Sequence, residues 1–346
     1  MQGPLRLPDR LFIHGFSLNK RRILRRFAGD SRICPMRSAA AVPSHATLLL
    51  WGSRAPPPEL SRSVKLIRVE DGFLRSVGLG AELVSPLSWV MDSRGIYYDA
   101  TRASDLEHLL QYTAFDSQLL QRAELLRRRI VATGITKYNV GDRNWQSPRT
   151  SRRLLLVPGQ VETDASLRFG APGIRTNMFL LEAVRAANPD SYIIYRPHPD
   201  VTAGIRARGI AEEQALKWCD EVAPHTSMDL LLDAADEVHV LTSLTGFEAL
   251  LRSKPVICYG LPFYAGWGLT RDVLSIPRRS RQLSLDELVA GALLVYPRYV
   301  SRTSNCRISA EQALDELLQW RARLSARPQR WRRLWLPLLR IGCRQR

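Results

Sequence analysis

One recurring unit constrains the fold of this chain more than anything else in its sequence: a short apolar run closes in a polar or glycine-containing turn, and a helical pattern follows. Leu11-Phe-Ile-His-Gly-Phe, Ala46-Thr-Leu-Leu-Leu-Trp-Gly and Lys65-Leu-Ile-Arg-Val-Glu-Asp-Gly are such runs in the first half, with a basic helix expected over 18–27. A hairpin-like piece over 88–98 follows, then one long helical pattern from Ser104 to about Ala132. The polar, turn-rich stretch 139–152 reads as a linker. The second half restarts at Arg153-Leu-Leu-Leu-Val-Pro-Gly-Gln160, with a helix near 176–187, the strand Tyr-Ile-Ile-Tyr-Arg running into His198, and a helix near 228–235. Glu237-Val-His-Val-Leu-Thr242 opens directly into a helix at Ser243-Leu-Thr245-Gly246-Phe-Glu248, and Lys254-Pro-Val-Ile-Cys-Tyr-Gly is a further strand. Strands alternating with helices call for parallel sheets with ligands at the carboxyl ends of the strands. The expected architecture is α/β, with Rossmann-like domains over 1–150 and 151–300 facing a central cleft, and a helical basic tail over 301–346.

The turn at Thr242–Gly246 has the character of a nucleotide-phosphate site. A helix start offers unpaired backbone N–H groups and the positive end of the helix dipole; Ser243 or Thr245 can cap it, and Gly246 allows close approach of an anion. His198, at the end of a neighbouring strand, would complete the cradle. The competing readings are a capped helix without ligand and an ordinary loop histidine.

With 346 residues, 45% of them hydrophobic and 24% charged, the chain suits about two globular domains. Five scattered cysteines without a CxxC pair support neither a disulfide framework nor a zinc site. The remaining histidines fall singly, and no Asp-x-Asp strand terminus is present, so no metal is expected. The first residues lack a signal-peptide core and no apolar run approaches a membrane span, which points to a cytoplasmic location. A net charge of +17 calls for an acidic partner. Nine arginines and no acid lie between Arg321 and Arg346, interleaved with Trp331, Trp335 and the apolar stretch 334–339, and Trp320 precedes them. That combination suits an anionic membrane surface, peripherally bound; the alternative is a final helix packed on the domain with a solvated basic face. Nucleic acid is not expected, because no binding module accompanies the charge.

These runs, together with Glu70-Asp-Gly-Phe-Leu-Arg-Ser-Val-Gly-Leu-Gly80, Gly95-Ile-Tyr-Tyr-Asp-Ala-Thr, Val157-Pro-Gly-Gln-Val-Glu-Thr-Asp-Ala-Ser166 and Leu261-Pro-Phe-Tyr-Ala-Gly-Trp-Gly-Leu-Thr270, resemble the capsular polysaccharide β-Kdo transferases of the KpsC type over about 11–299. The resemblance implies a GT-B-like retaining glycosyltransferase with CMP-β-Kdo as donor and a lipid-linked β-Kdo acceptor. Many members carry two modules; this chain resembles the C-terminal one, notably through Gly-Ile-Thr-Lys-Tyr-Asn-Val-Gly-Asp over 134–142, which implies a β-2,7 linkage. The family's Gln-x-x-x-Asp pattern falls on Gln160 and Asp164.

The residues are compatible with that chemistry. Retention by two inversions needs a carboxylate on the face opposite the leaving phosphate. Asp164 is expected to be this nucleophile, against a competing role as a turn or N-cap residue, and Glu162 is its neighbour on the same loop. Glu70 would act as general base across the cleft, or exchange roles with Asp71. His198 is expected to donate to the CMP phosphate, and Gln160, Thr242, Ser243, Thr245 and Gly246 to line its cradle. Glu248 would accept from ribose hydroxyls, or else be an exposed helical glutamate. The alternatives kept open are another CMP-sugar transferase, sialyltransferase-like, and a non-catalytic GT-B-like module that recruits enzymes to the membrane.

Overall fold

The structure, a computed structural model, describes residues 7–78 and 84–325. In chain order the strands are β1 (Arg10–His14), β2 (Arg32–Pro35), β3 (Thr47–Trp51), β4 (Lys65–Asp71), β5 (Ser88–Asp92), β6 (Leu154–Pro158), β7 (Tyr192–Arg196), β8 (Glu221–Val222), β9 (Glu237–Val240), β10 (Val256–Cys258), β11 (Arg271–Asp272), β12 (Pro297–Val300) and β13 (Arg307–Ile308). The helices are α1 (Leu18–Ala28), α2 (Asp105–Tyr112), α3 (Ser117–Ala132), α4 (Ala165–Gly170), α5 (Asn177–Ala187), α6 (Pro199–Thr202), α7 (Met228–Ala234), α8 (Leu244–Leu251), α9 (Leu285–Val289) and α10 (Ala310–Ser325).

Two sheets form. The second, ordered β11-β10-β9-β6-β7-β8, is parallel throughout, as the strand–helix alternation requires. Its central strand β6 is buried at all five residues, which is why its sequence is continuously apolar instead of alternating. The first sheet, ordered β13-β12-β5-β4-β3-β1-β2, is parallel only from β2 to β4. β5, β12 and β13 join it antiparallel.

Four expectations change, the first being that both sheets are parallel. The piece over 88–98 is not a hairpin: β5 pairs with β4 and with the distant β12, a pairing that local pattern cannot reveal. The helical pattern after Ser104 is two helices, because Ser104 caps α2 and Asp116 caps α3, accepting from Glu107 and Leu119 N–H groups respectively. The packing also does not follow a cut at residue 150. Leu106, Leu110, Leu126 and Ile130 of α2 and α3 share one core with Leu154, Ile194 and Val238 of the second sheet. The first sheet closes around Leu11, Phe27, Ile67, Trp89 and Val300, so β12 returns to it from beyond the second.

In α10, Ala313, Leu314 and Leu317 are buried. Arg302 stacks on Trp320 at 3.4 Å, and Arg321 donates to the carbonyls of Thr133 and Gly134. Trp320 and Arg321 are thus parts of the packed body. The remaining basic and aromatic residues assigned to the membrane, from Arg327 onward, lie outside the described residues. Among the described residues no helix is long and apolar enough to cross a membrane.

Candidate active site

The carboxyl ends of β3 and β4 in the first sheet, and of β6, β7 and β9 in the second, open onto one cavity of ≈ 470 Å³. It is within the ordinary size range of small-molecule sites. Of the residues predicted for the site, Glu70, Asp71, Gln160, Asp164, His198, Thr242, Ser243, Thr245 and Glu248 all line it; Gly246 and Glu162 do not.

From the first sheet come two adjacent carboxylates with different surroundings. Asp71 accepts from Arg75 at 2.7 Å and from the Trp89 indole at 3.0 Å, so both of its oxygens are engaged. Glu70 accepts one hydrogen bond, from the Asp71 N–H at 3.0 Å. Burial, then the Asp71 charge, pushes the Glu70 carboxyl up to about 7, against the Asp71 N–H, Lys20 and Lys137. A carboxyl tuned to neutral pH suits proton transfer.

The second sheet supplies the opposite wall. Asp164 is the N-cap of α4: it accepts the Ser166 N–H at 2.8 Å while standing exposed on the cavity wall. Capping and a place on the cavity wall are therefore combined in one residue. Tyr97 and Tyr98 stand within electrostatic reach of both Glu70 and Asp164, and the phenol of each is raised, by burial first and then by Glu70. Glu162 faces away and clamps the loop instead, accepting the Asn177 N–H at 2.8 Å and the Ile210 N–H at 2.9 Å.

His198 caps the short α6, its Nδ1 accepting the Asp200 N–H at 3.1 Å, which assigns the ring proton to Nε2. Burial, with Lys137 and Arg196 nearby, pulls its pKa down to about 3, so the ring is neutral at physiological pH. It offers an N–H donor and not a positive charge. The charge of this wall comes from Arg196, buried at the last position of β7, and from Lys137 and Arg206. Arg196 is anchored by the Thr226 carbonyl at 3.3 Å.

Around the α8 start the residues divide into cavity-lining and supporting ones. Gln160 exchanges two hydrogen bonds with Thr242, at 2.9 and 3.0 Å, tying the end of β6 to the turn after β9. Ser243 Oγ accepts the Thr245 N–H at 3.2 Å, and the Ser243 carbonyl accepts the Gly246 N–H at 3.1 Å. Gly246 therefore does not serve the cradle as expected. It is required because a Cβ there would collide with the Tyr264 hydroxyl, which donates to the Ser243 carbonyl. Glu248 is 7% exposed and accepts the Lys137 N–H at 2.7 Å, so it is not an exposed helical glutamate. Through that bond it seats the Lys137 loop on the cavity.

Sequence reasoning did not single out Lys20, Tyr97, Tyr98, Lys137 and Arg196. Arg196 carried a signal, a charge ending an otherwise apolar strand; Lys20 did not, because it is one of several cations in α1. Among the described residues no group of three or more His, Cys, Asp or Glu forms a metal cluster.

The profile of the capsule polysaccharide biosynthesis protein family matches residues 47–131 and 116–302. The chain is 51% identical over 256 residues to the capsule polysaccharide modification protein LipA of Neisseria meningitidis, covering 74% of this chain and 36% of the relative. It thus spans about a third of that protein's length. It is 39% identical to the lipopolysaccharide-processing protein LpsZ of Rhizobium meliloti, over 86% of this chain and 72% of that one. Two solved structures are similar in fold and sequence, both from Thermosulfurimonas dismutans KpsC. Its beta Kdo 2,7 transferase is 44% identical with a TM-score of 0.74, covering 90% of this chain and 99% of that one. Its beta Kdo 2,4 transferase is 32% identical with a TM-score of 0.78, covering 90% and 98%. The cavity residues from Glu70 to Glu248 lie inside the family match, and the chain belongs to the capsule polysaccharide biosynthesis protein family, as a member of the KpsC type.

Proposed function

We propose that this chain is a GT-B-like β-Kdo glycosyltransferase module that transfers Kdo from CMP-β-Kdo to a lipid-linked acceptor with retention of configuration. The observation that carries the reading is the meeting of Glu70 and Asp164, from opposite sheets, in one cavity that also holds His198, Arg196 and the start of α8. In the first step the Asp164 carboxylate attacks the anomeric carbon, the bond to the CMP phosphate breaks, and CMP leaves with the electron pair. His198, through its Nε2–H, and the Arg196 guanidinium, both on the cavity lining, stabilise the charge on that phosphate. In the second step Glu70 takes the proton of the acceptor hydroxyl, whose oxygen displaces Asp164 from the same carbon. Two inversions give retention. A single phosphate facing this cationic wall is held without a metal, and Glu248, on the cavity lining, accepts from the ribose hydroxyls.

Greater identity to the 2,7 transferase than to the 2,4 transferase supports a β-2,7 linkage. The basic, Trp-containing stretch after Ser325 supports peripheral attachment to the cytoplasmic face of the inner membrane, where a lipid-linked acceptor resides. Incubation with CMP-Kdo and a synthetic β-Kdo glycoside, with the product linkage read by NMR, tests the reading. The expected product is β-2,7; absence of transfer with intact CMP binding would reject it.

A further inference from the structure

The two walls of the cavity differ in how their cations are held. Arg75, on the first-sheet wall, is bound to Asp71 at 2.7 Å and to Ser76 at 2.8 Å. Lys20, on the same wall, is held differently: its ammonium rests 3.5 Å above the Trp51 ring, in the first turn of α1 next to Ser17 and Asn19. Among the described residues no carboxylate forms an ion pair with it, although Glu70 and Asp71 line the same wall. A lysine placed only to neutralise Glu70 would contact it. This one instead rests its ammonium on the face of an aromatic ring at the cavity lining, a weaker partner than a carboxylate, which leaves its donors available to an incoming anion.

Kdo is a sugar acid, and an acceptor that is itself a sugar acid brings a carboxylate near the reacting hydroxyl. On the functional reading above, the hydroxyl must reach Glu70 while the carboxylate finds a cation elsewhere on the first-sheet wall. We propose that Lys20 is a specificity-determining residue that binds the carboxylate of the acceptor sugar, so that the enzyme selects anionic acceptors and sets the reacting hydroxyl against Glu70. The absence of an ion pair between Lys20 and Glu70 then has a purpose, since one group grips the acid while the other takes a proton from the same sugar. Burial pulls the Lys20 pKa down and the Glu70 and Asp71 charges pull it up, as fits a cation kept partly desolvated for an incoming anion.

The test compares a soluble β-Kdo glycoside with the same glycoside reduced at its carboxyl to a hydroxymethyl group, in the wild type and in Lys20→Met, which keeps an unbranched chain of similar length against Trp51 and removes the charge. Lys20→Met should raise KM for the acid glycoside roughly 10- to 100-fold and leave KM for the reduced one unchanged, the loss of one hydrogen-bonded charge pair. Lys20→Arg should recover part of the loss. An equal effect on both acceptors, or a shifted pH profile with unchanged acceptor KM, would assign Lys20 to tuning Glu70 and overturn the proposal. Calorimetric binding of the acid glycoside with CMP present gives a readout independent of turnover. If the wild type transfers nothing, the transferase reading fails, yet weaker binding in Lys20→Met still supports the carboxylate contact and equal binding rejects it. Retained CMP affinity verifies that the variant is folded; if Lys20→Met does not fold, the same comparison on Lys20→Gln decides.

Discussion

Glu70→Gln probes the proposed base through stability as well as rate. Burial first, then repulsion from Asp71, lifts the Glu70 carboxyl from its ordinary 4.5 to about 7. A carboxyl whose folded pKa lies above its unfolded value favours the folded state while protonated. That contribution is complete below about pH 4.5 and is lost as the pH rises through about 7. At about 1.4 kcal/mol per decade, the upper bound on the loss is about 3.5 kcal/mol. Glu70 is partly open to the cavity, which brings the expected value to about 2 kcal/mol. Glutamine has nearly the same shape and stays neutral, so Glu70→Gln should be more stable than the wild type by about this amount near pH 8 and indistinguishable from it near pH 4.5. For a chain of this length the difference is roughly 2–4 °C in Tm, measurable by calorimetry at the two pH values. Transfer should respond in the opposite sense: wild-type kcat/KM rises about tenfold per pH unit below about 7 and levels off above it, while the variant loses about 10²–10⁴-fold at the plateau. A Tm difference that is the same at both pH values, or a wild-type rate that is flat through about pH 7, would refute the assignment.

Asp164→Asn should abolish transfer while keeping the α4 cap and the fold, whereas Asp164→Ala should lose transfer and about 1 kcal/mol of stability besides, read by denaturant titration; a Kdo ester on the wild-type Asp164 peptide should be trappable by mass spectrometry. Near wild-type turnover in either variant would exclude the double displacement. His198→Ala should weaken CMP binding by about 1.5–3 kcal/mol, because a neutral Nε2–H still donates to an ionised phosphate, and calorimetry in EDTA should give the same affinity as without it. Removal of 326–346 should release the protein from phosphatidylglycerol vesicles and leave transfer to a soluble acceptor intact, since the cut spares the buried face of α10 and the Trp320 and Arg321 contacts; continued vesicle binding would place attachment elsewhere.

Much of the site was legible because strand ends and helix starts are local events. Continuous apolar runs such as Leu154–Val157 specify strands buried on both faces, and their last residues mark where a ligand can sit. Asp164 and Ser243 were identifiable as cap-type residues at such ends, and each does cap a helix; His198, whose competing reading was a loop residue, caps one as well. Roles that depend on the partner of a side chain were not legible. Glu70 and Asp71 are neighbours of the same chemical class, and only Arg75 and Trp89, which engage Asp71 alone, tell them apart. Gly246 looked like an opening for phosphate; Tyr264, eighteen residues on, explains it instead.

The sequence by itself determined the α/β class, the all-parallel second sheet, the positions of the strand-end turns and the resemblance that leads to the family, all of which rest on periodicity and residue type over short spans. Tertiary structure alone decided that β12 returns to the first sheet beside β5, that α2 and α3 belong to the core of the second, and that one cation of the basic helix α1, Lys20, lies over Trp51 beside Glu70. Those outcomes turn on which distant surfaces bury one another, and on the desolvation that burial imposes on a charge, neither of which is encoded within any window of the chain.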